Sequence, residues 1–257
     1  MPVRDSSAFD MTTDSAQRLV SEAIEAHGGA ERWNGLVGIE VNLSAWGFLF
    51  TAKRRPTLTR ARVWASTRAP HIVLHDVPRP GQRSELLGED EVRIVDAVGR
   101  TLDSRRSPRA AFRSLRRQLY WDALDFAYFG GYATWNYLTT PFLFLRPGFR
   151  FALLPPLQTG ADKLERLEVV FPRDVPTHCP TQVFYFDSQR RLRRLDYRAE
   201  VVGGWANAAH LCASYRNFEG IEMPTSRRVR PRSFTGAPLP FPTLVAIEIH
   251  HVVLERA

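Results

Sequence analysis

From Leu36 onward, apolar and polar positions alternate with a period of two. Val37, Ile39, Val41, Leu43 and Ala45 fall on one side, and Glu40, Asn42, Ser44 and Trp46 on the other, as in a strand with one buried face. Runs of the same kind follow at 48–53, 58–66, 72–77, 82–87 and 92–97. The clusters Arg54-Arg55-Pro56, Arg79-Pro80-Gly81 and Gly88-Glu89-Asp90 separate them, so the pattern predicts an antiparallel meander. Strand patterning returns at 164–171, 181–187, 192–199, 209–218, 221–230 and 244–254. Ahead of the strands the period is helical. Leu19, Val20, Ala23 and Ile24 share a face, Asp14 or Ser15 supplies an N-cap, and His27-Gly28-Gly29 stops the helix. Residues 1–14 read as a disordered leader and 15–257 as a single domain.

The segment 101–160 breaks the rhythm and reads as an insertion. Its first part, 108–128, has a helical period, with Arg106, Arg109, Arg113 and Arg117 along one side and Phe112, Leu115, Leu119 and Phe126 on the other. Gly130-Gly131 is expected to end this helix and to act as a hinge. Around it lies an aromatic cluster of Tyr128, Phe129, Tyr132, Trp135, Tyr137, Phe142 and Phe144. The cluster reads either as a mobile cover over an apolar cavity or as a helix plugging the mouth of the sheet. Proline-rich loops at 146–148 and 154–160 close the insertion. The fold class expected is mainly β with helices (α+β). It would be a single curved antiparallel sheet with helices on one face and a helical aromatic insertion.

Composition narrows the function classes. The 257 residues include 35 Lys+Arg against 27 Asp+Glu, a formal charge of +8, and all the cations but Lys53 and Lys163 are arginine. Arginine forks match carboxylates and phosphates, although genome base composition produces the same bias. The arginine stripe 106/109/113/117 could rest on an anionic membrane or simply face water. No nucleic-acid-binding motif accompanies the arginines, so nucleic acid is not expected as a partner. Cys179 and Cys212 suit a reducing compartment as small buried side chains. Met1 to Ser15 carries no basic n-region or apolar h-region, so the expected location is cytoplasmic. No dinucleotide fingerprint, P-loop, nucleophile elbow or zinc-protease motif occurs, and no cofactor is expected. His71 and His75 lie in a β-patterned run, where four-residue spacing separates the rings, so no metal is expected either.

A few polar residues fall on apolar strand faces. Arg227 shares a face with Ile221, Met223, Thr225 and Val229, and it either pairs with Glu165 or holds an anionic ligand group. His251 alternates with Val245, Ile247, Ile249 and Val253, which suits a core histidine as well as a ligand contact. Tyr185, Tyr197 and Tyr215 sit on separate C-terminal strands, and amphipathic rings suit cores and ligand cavities alike. The candidate ligand-binding set is therefore Tyr128, Tyr132, Trp135, Tyr137, Phe142, Phe144, Tyr185, Tyr197, Tyr215, Arg227 and His251. No catalytic residue is singled out.

Several stretches carry a family likeness: the helix ending Ala26-His27-Gly28-Gly29-Ala30, then Leu167-Glu168-Val169-Val170-Phe171-Pro172, Gln182-Val183-Phe184-Tyr185-Phe186-Asp187, Leu192-Arg193-Arg194-Leu195-Asp196-Tyr197 and Phe218-Glu219-Gly220-Ile221-Glu222-Met223-Pro224-Thr225. In these the chain resembles the LolA/LolB-like lipoprotein-carrier superfamily. The resemblance implies an unclosed, strongly curved β-barrel wrapped around helices, with a hydrophobic cavity for acyl chains. It supplies no catalytic residue. The function expected is a cytoplasmic binding protein for a hydrophobic, anionic small molecule, a lipid or a polyketide-like metabolite. The alternative is a cofactor-independent cyclase or isomerase that folds a hydrophobic biosynthetic intermediate in the same cavity.

Overall fold

The computed structural model describes residues 6–160 and 162–257, with side chains from Asp14 onward. The chain opens with helices α1 (Ser6–Ala26) and α2 (Ala30–Asn34), then strand β1 (Leu36–Trp46) and helix α3 (Phe48–Ala52). The meander follows: β2 (Leu58–Ser66), β3 (His71–His75), β4 (Arg83–Leu87), β5 (Glu91–Val95) and β6 (Thr101–Arg106). Helices α4 (Pro108–Ala111), α5 (Arg116–Leu119) and α6 (Ala123–Thr139) come next, with a 3-10 turn at Phe142–Leu145. The second run is β7 (Arg150–Thr159), β8 (Asp162–Val170), β9 (Thr181–Phe186), β10 (Leu192–Arg198), β11 (Asn207–Phe218), β12 (Ile221–Pro231) and β13 (Val245–Arg256).

Both runs join one antiparallel sheet of 13 strands in the order β6-β5-β4-β3-β2-β1-β13-β12-β11-β10-β9-β8-β7. The seam is β1 against β13, where Ile39 faces Leu254 and Ala45 faces Ile247. The outermost strands, β6 and β7, do not pair with each other, so the sheet curves without closing. Helix α6 fills the concave side against the β2–β6 half, and α1 lies beside β7.

Several expectations are corrected. The first helix starts at Ser6 rather than at Asp14 or Ser15, so residues 6–14 of the expected leader are helical; Met1–Asp5 lie outside the described residues. The run 48–53 is helix α3 rather than a strand. The expected insertion supplies both edge strands, β6 and β7, at its two ends. Pro155 and Pro156 fit within β7 because they fall in a register break between Leu154 and Leu157, where the ladder to β8 is interrupted.

The single helix expected over 108–128 is three helices, and the arginine stripe is divided among them. Arg106 ends β6, Arg109 belongs to α4, Arg113 lies in the link, and Arg117 is in α5. Arg109 donates to the Thr177 carbonyl at 2.6 Å and to Glu200 at 2.7 Å. Arg117 Nε donates to Asp125 at 2.7 Å. On the supposed apolar side Phe112 is buried, yet Leu115 and Leu119 are exposed.

Helix α6 starts where its sequence allows a strong cap. The Asp122 carboxylate accepts from the Asp125 N–H, and the Asp125 carboxylate accepts from the Asp122 N–H. Arg105 on β6 donates to both carboxylates at 2.8 and 2.6 Å, tying the helix start to the sheet edge. Gly130-Gly131 lies inside this helix and is no hinge. A Cβ on Gly131 would stand 3.2 Å from Leu86 Cβ and 3.3 Å from Ile72 Cγ2. The missing side chain is what lets helix and sheet approach so closely.

Candidate functional site

Between α6 and the sheet lies a cavity of about 430 Å³, within the size range of small-molecule sites (roughly 300–1,000 Å³). Its walls are Leu43, Ala45 and Val63 from β1 and β2, Phe126, Phe129, Ala133 and Tyr137 from α6, and Tyr197, Val229 and Ile247 from β10, β12 and β13. Helix α3 contributes Phe48, Leu49 and Phe50, and three loops contribute Trp121, Trp205 and Pro242; Phe48 and Trp205 are exposed and mark the opening, whereas Phe50 and Trp121 are buried. Three cations, Lys53, Arg55 and Arg232, line the cavity, and its lining includes no Asp or Glu.

The three cations are not equivalent. Arg232 is engaged with Asp196 at 2.9 Å. Lys53 Nζ donates to the Arg117 and Gln118 carbonyls at 3.0 and 2.6 Å, and burial lowers its pKa. Arg55 lies over the Phe126 ring, 5.6 Å from its centroid, and its Nε is buried without a hydrogen-bond partner. Among the described residues, neither Lys53 nor Arg55 pairs with a carboxylate. An apolar chamber with uncompensated cations beside it is built for an apolar body and an anionic head.

Behind the α6 wall lies a polar island. The Tyr137 hydroxyl is 2.8 Å from His178 Nε2 and 3.0 Å from the Tyr197 hydroxyl, and Tyr132 Oη is 3.1 Å from His178 Nδ1. His178 also stacks on the Tyr197 ring at 3.9 Å. Burial, with the nearby Arg109 charge, pushes His178 down to about 3, so the ring is neutral and donates through one nitrogen while accepting through the other. Burial raises the phenol pKa values of Tyr132, Tyr137 and Tyr197. At neutral pH this cluster is a closed set of neutral hydrogen bonds.

Of the residues proposed from sequence, Tyr137 and Tyr197 line the cavity. Tyr132 joins them only through His178, and Tyr128 packs edge-on against Tyr132 at 5.1 Å. Trp135 is buried on another side, where its Nε1 donates to the Ser66 carbonyl at 2.8 Å. Phe142 stacks on Trp33 at 4.2 Å, and Phe144 meets Phe149, Phe151 and Phe184 edge-on, so both belong to the core beyond the helix end. The stretch from Tyr128 to Leu145 is thus a packed plug, and the cavity opens instead beside α3 and the loops carrying Trp205 and Pro242.

Tyr185 donates to Asp196 at 2.8 Å. Asp196 neighbours Tyr197 on a strand, so it and Tyr185 occupy the opposite face of the sheet from the cavity. Tyr215 donates to the Leu192 carbonyl and touches His27 at the end of α1. Arg227 is 2% exposed, as strand parity places it, but its expected partner Glu165 pairs with Lys163 at 3.2 Å instead. Arg227 donates to the Tyr137 carbonyl at 2.6 Å and to Cys212 Sγ at 3.2 Å. It stands behind the Tyr137 ring and is not part of the cavity lining. His251 is exposed. Asn42 pairs with His251 and Leu43 with Ile249, so His250 is an extra residue that flips the strand's facing beyond it.

Phe129, named in the aromatic cluster but not in the candidate set, lines the cavity, and sequence reading missed Lys53, Arg55, Trp121, Phe126 and Trp205. The available signal was the run Phe48-Leu49-Phe50 followed within five residues by Lys53-Arg54-Arg55. An apolar triplet joined to a basic one marks a place where an apolar surface meets an anionic group.

No family model matches the chain, and no curated protein matches it. Among the described residues, no helix is long and apolar enough to cross a membrane. Solved structures do match. A LolA superfamily protein from Nitrosomonas europaea has a TM-score of 0.51 at 12% identity, with 94% of each chain covered. A domain described as an outer membrane lipoprotein-sorting protein from Vibrio parahaemolyticus has a TM-score of 0.54 at 13% identity, covering 94% of this chain and 93% of that one. A DUF1329 family protein from Desulfovibrio piger has a TM-score of 0.50 at 13% identity, covering 93% and 92%. With the unclosed 13-stranded sheet around a central helix, these likenesses show that the chain has the LolA-like fold.

Proposed function

We propose that the chain is a binding protein for an anionic amphiphile, a fatty-acid-like or polyketide-like molecule, held in the cavity beside α6. One observation carries this reading: the chamber has apolar walls, and its lining holds Lys53 and Arg55, neither paired with a carboxylate among the described residues, and no Asp or Glu. Burying the tail drives binding, at roughly 25 cal/mol per Å² of apolar surface removed from water. The cations set the orientation by taking the head group at the mouth. The lipoprotein-sorting description of the Vibrio parahaemolyticus domain fits a hydrophobic cargo. The cytoplasmic setting is part of the proposal and is supported by two buried cysteines, Cys179 and Cys212, that form no disulfide.

The cyclase or isomerase reading draws on one feature, the Tyr137–Tyr197–His178 cluster at the wall. Acid–base chemistry at neutral pH wants a group titrating near 7. Here His178 sits at about 3 and the phenols are raised, so binding is the better-supported function. The test is displacement of a fluorescent fatty acid by a long-chain acid and by its methyl ester. Arg55→Gln is expected to weaken the acid at least ~10-fold, because a charge-assisted hydrogen bond is lost, and to leave the ester unchanged. An equal loss for both would remove the head-group role of Arg55.

A further inference from the structure

The set Tyr132, His178, Tyr137 and Tyr197 holds one proton more than it uses. Each phenol brings one proton and the neutral imidazole one, so four protons serve three contacts. The contacts form a line, and the surplus proton falls at one of its ends. With the ring proton on Nδ1, His178 donates to Tyr132, Tyr137 donates to His178, and Tyr197 donates to Tyr137. The Tyr132 proton is then idle inside the core. With the ring proton on Nε2, His178 donates to Tyr137, Tyr137 to Tyr197, and Tyr132 to His178. The idle proton then belongs to Tyr197. Among the described residues, neither end has another hydrogen-bond partner. The two ends differ in their surroundings. Tyr132 is fully buried and outside the cavity lining, whereas Tyr197 lines the cavity. Its neighbours there are small: Ala208 lies directly across from it on β11 and Ala199 two residues along the chain, and both line the cavity.

Trp121 supplies a second idle donor. It is 1% exposed and lines the cavity, and its Nε1 is buried without a hydrogen-bond partner. An indole N–H donates and never accepts. A buried donor left unmade costs the full desolvation of that group. Both protons therefore call for acceptors that the chain itself does not provide.

We propose that the ligand carries carbonyl oxygens along its apolar body, one accepting from the Tyr197 hydroxyl and one from the Trp121 indole N–H. A carbonyl oxygen accepts and brings no proton of its own, which is what two surplus donors need. The chamber therefore prefers an oxygenated, polyketide-like acid to a saturated fatty acid of the same length. This rests on the cavity reading and narrows it: the cations take the head group, and the two donors read the body. A carbonyl on Tyr197 also fixes His178 in its Nε2–H form, because only then does every hydroxyl in the line have an acceptor.

The experiment is displacement of the fluorescent fatty acid from the full chain by a positional set of long-chain mono-keto acids, each compared with the plain acid of equal length. One keto position should bind at least ~5-fold tighter through Tyr197 and another through Trp121, the gain of a neutral hydrogen bond to a donor otherwise left idle. The first preference should vanish in Tyr197→Phe and the second in Trp121→Phe, as the coupling of a double-mutant cycle. With keto acids bound, nitrogen NMR of the wild-type protein should place the His178 ring proton on Nε2, a readout that needs no variant to fold. A ring proton on Nδ1 with every keto acid, preferences that survive both substitutions, or a plain acid that displaces the probe as well as every keto acid would overturn the proposal and leave the cavity reading standing. No displacement by any acid, plain or keto, would remove the cavity reading and this one with it.

Discussion

Lowering the pH from 7.5 to 5.5 is expected to remove about 4 kcal/mol of folding stability, at ~1.4 kcal/mol for each of three buried histidines. His27 is pushed down to about 4 and His178 to about 3, both mainly by burial, and His210 is pushed well below its ordinary value by burial and the Arg227 charge. In the unfolded chain each ring takes up a proton as the pH falls through 6.5. In the folded chain it stays neutral until far lower. Between those values the unfolded state binds more protons, so stability is complete above pH 6.5 and declines as the pH drops. Urea unfolding at the two pH values measures the slope. His210→Met should remove about one third of it, since one of three equal contributors goes. Both His210 nitrogens are buried without a partner, so the same substitution should also raise stability at pH 7.5 by ~1 kcal/mol or more. A pH-independent midpoint would mean that water reaches these rings.

The strands were legible because most have one buried and one solvated face, which writes a period of two into the sequence. β1 shows it from Ile39 to Trp46; ahead of a register break at Gly38 the facing is reversed, so Leu36 is buried and Val37 is not. The two strands that sequence reading missed lack this feature for a physical reason. β6 is exposed along almost its whole length and β7 is an edge containing two prolines, so neither has an alternation to read. Helix α6 was misplaced for the opposite reason. Residues all around it, from Leu124 to Thr139, are buried, and a helix apolar on every side has no amphipathic period. The period seen over 108–128 came from arginines that the chain distributes among a strand end, a loop and two short helices.

The site was less legible than the fold. Strand parity placed Arg227 inside correctly, but it cannot see a bulge, and one extra residue at His250 turns His251 outward. Parity also cannot rank depth. It treats Tyr137, on the cavity wall, and Tyr132, one helical turn behind it, as equal members of an aromatic cluster. The cavity itself is assembled from α3, α6, three loops and the ends of several strands that are distant in sequence. No local pattern records a space of this kind.

Thr134→Trp is expected to abolish binding of the fatty acid and its ester alike, a loss of more than ~100-fold, about 2.8 kcal/mol. Thr134 is half-buried on the cavity side of α6, where the lining also includes Gly130, Ala133 and Tyr137. Gly130 shows how open this side is: a Cβ there would meet nothing nearer than Leu74 Cδ2 at 3.9 Å. An indole at 134 therefore enters empty space instead of displacing neighbours, and the ~1–3 kcal/mol cost of overpacking a filled core does not apply. Melting should stay at the wild-type temperature or rise, since filling a void adds dispersion contacts. Trp135→Ala on the adjacent residue is the control with the reverse outcome. Trp135 is 1% exposed, and its indole is held by the Ser66 carbonyl, so its loss should cost ~3–5 kcal/mol of stability and leave the affinity of the folded fraction unchanged. Isothermal titration and thermal unfolding on the two variants separate cavity wall from core. Undiminished binding in Thr134→Trp would place the ligand elsewhere on the protein, whatever the shape of this chamber.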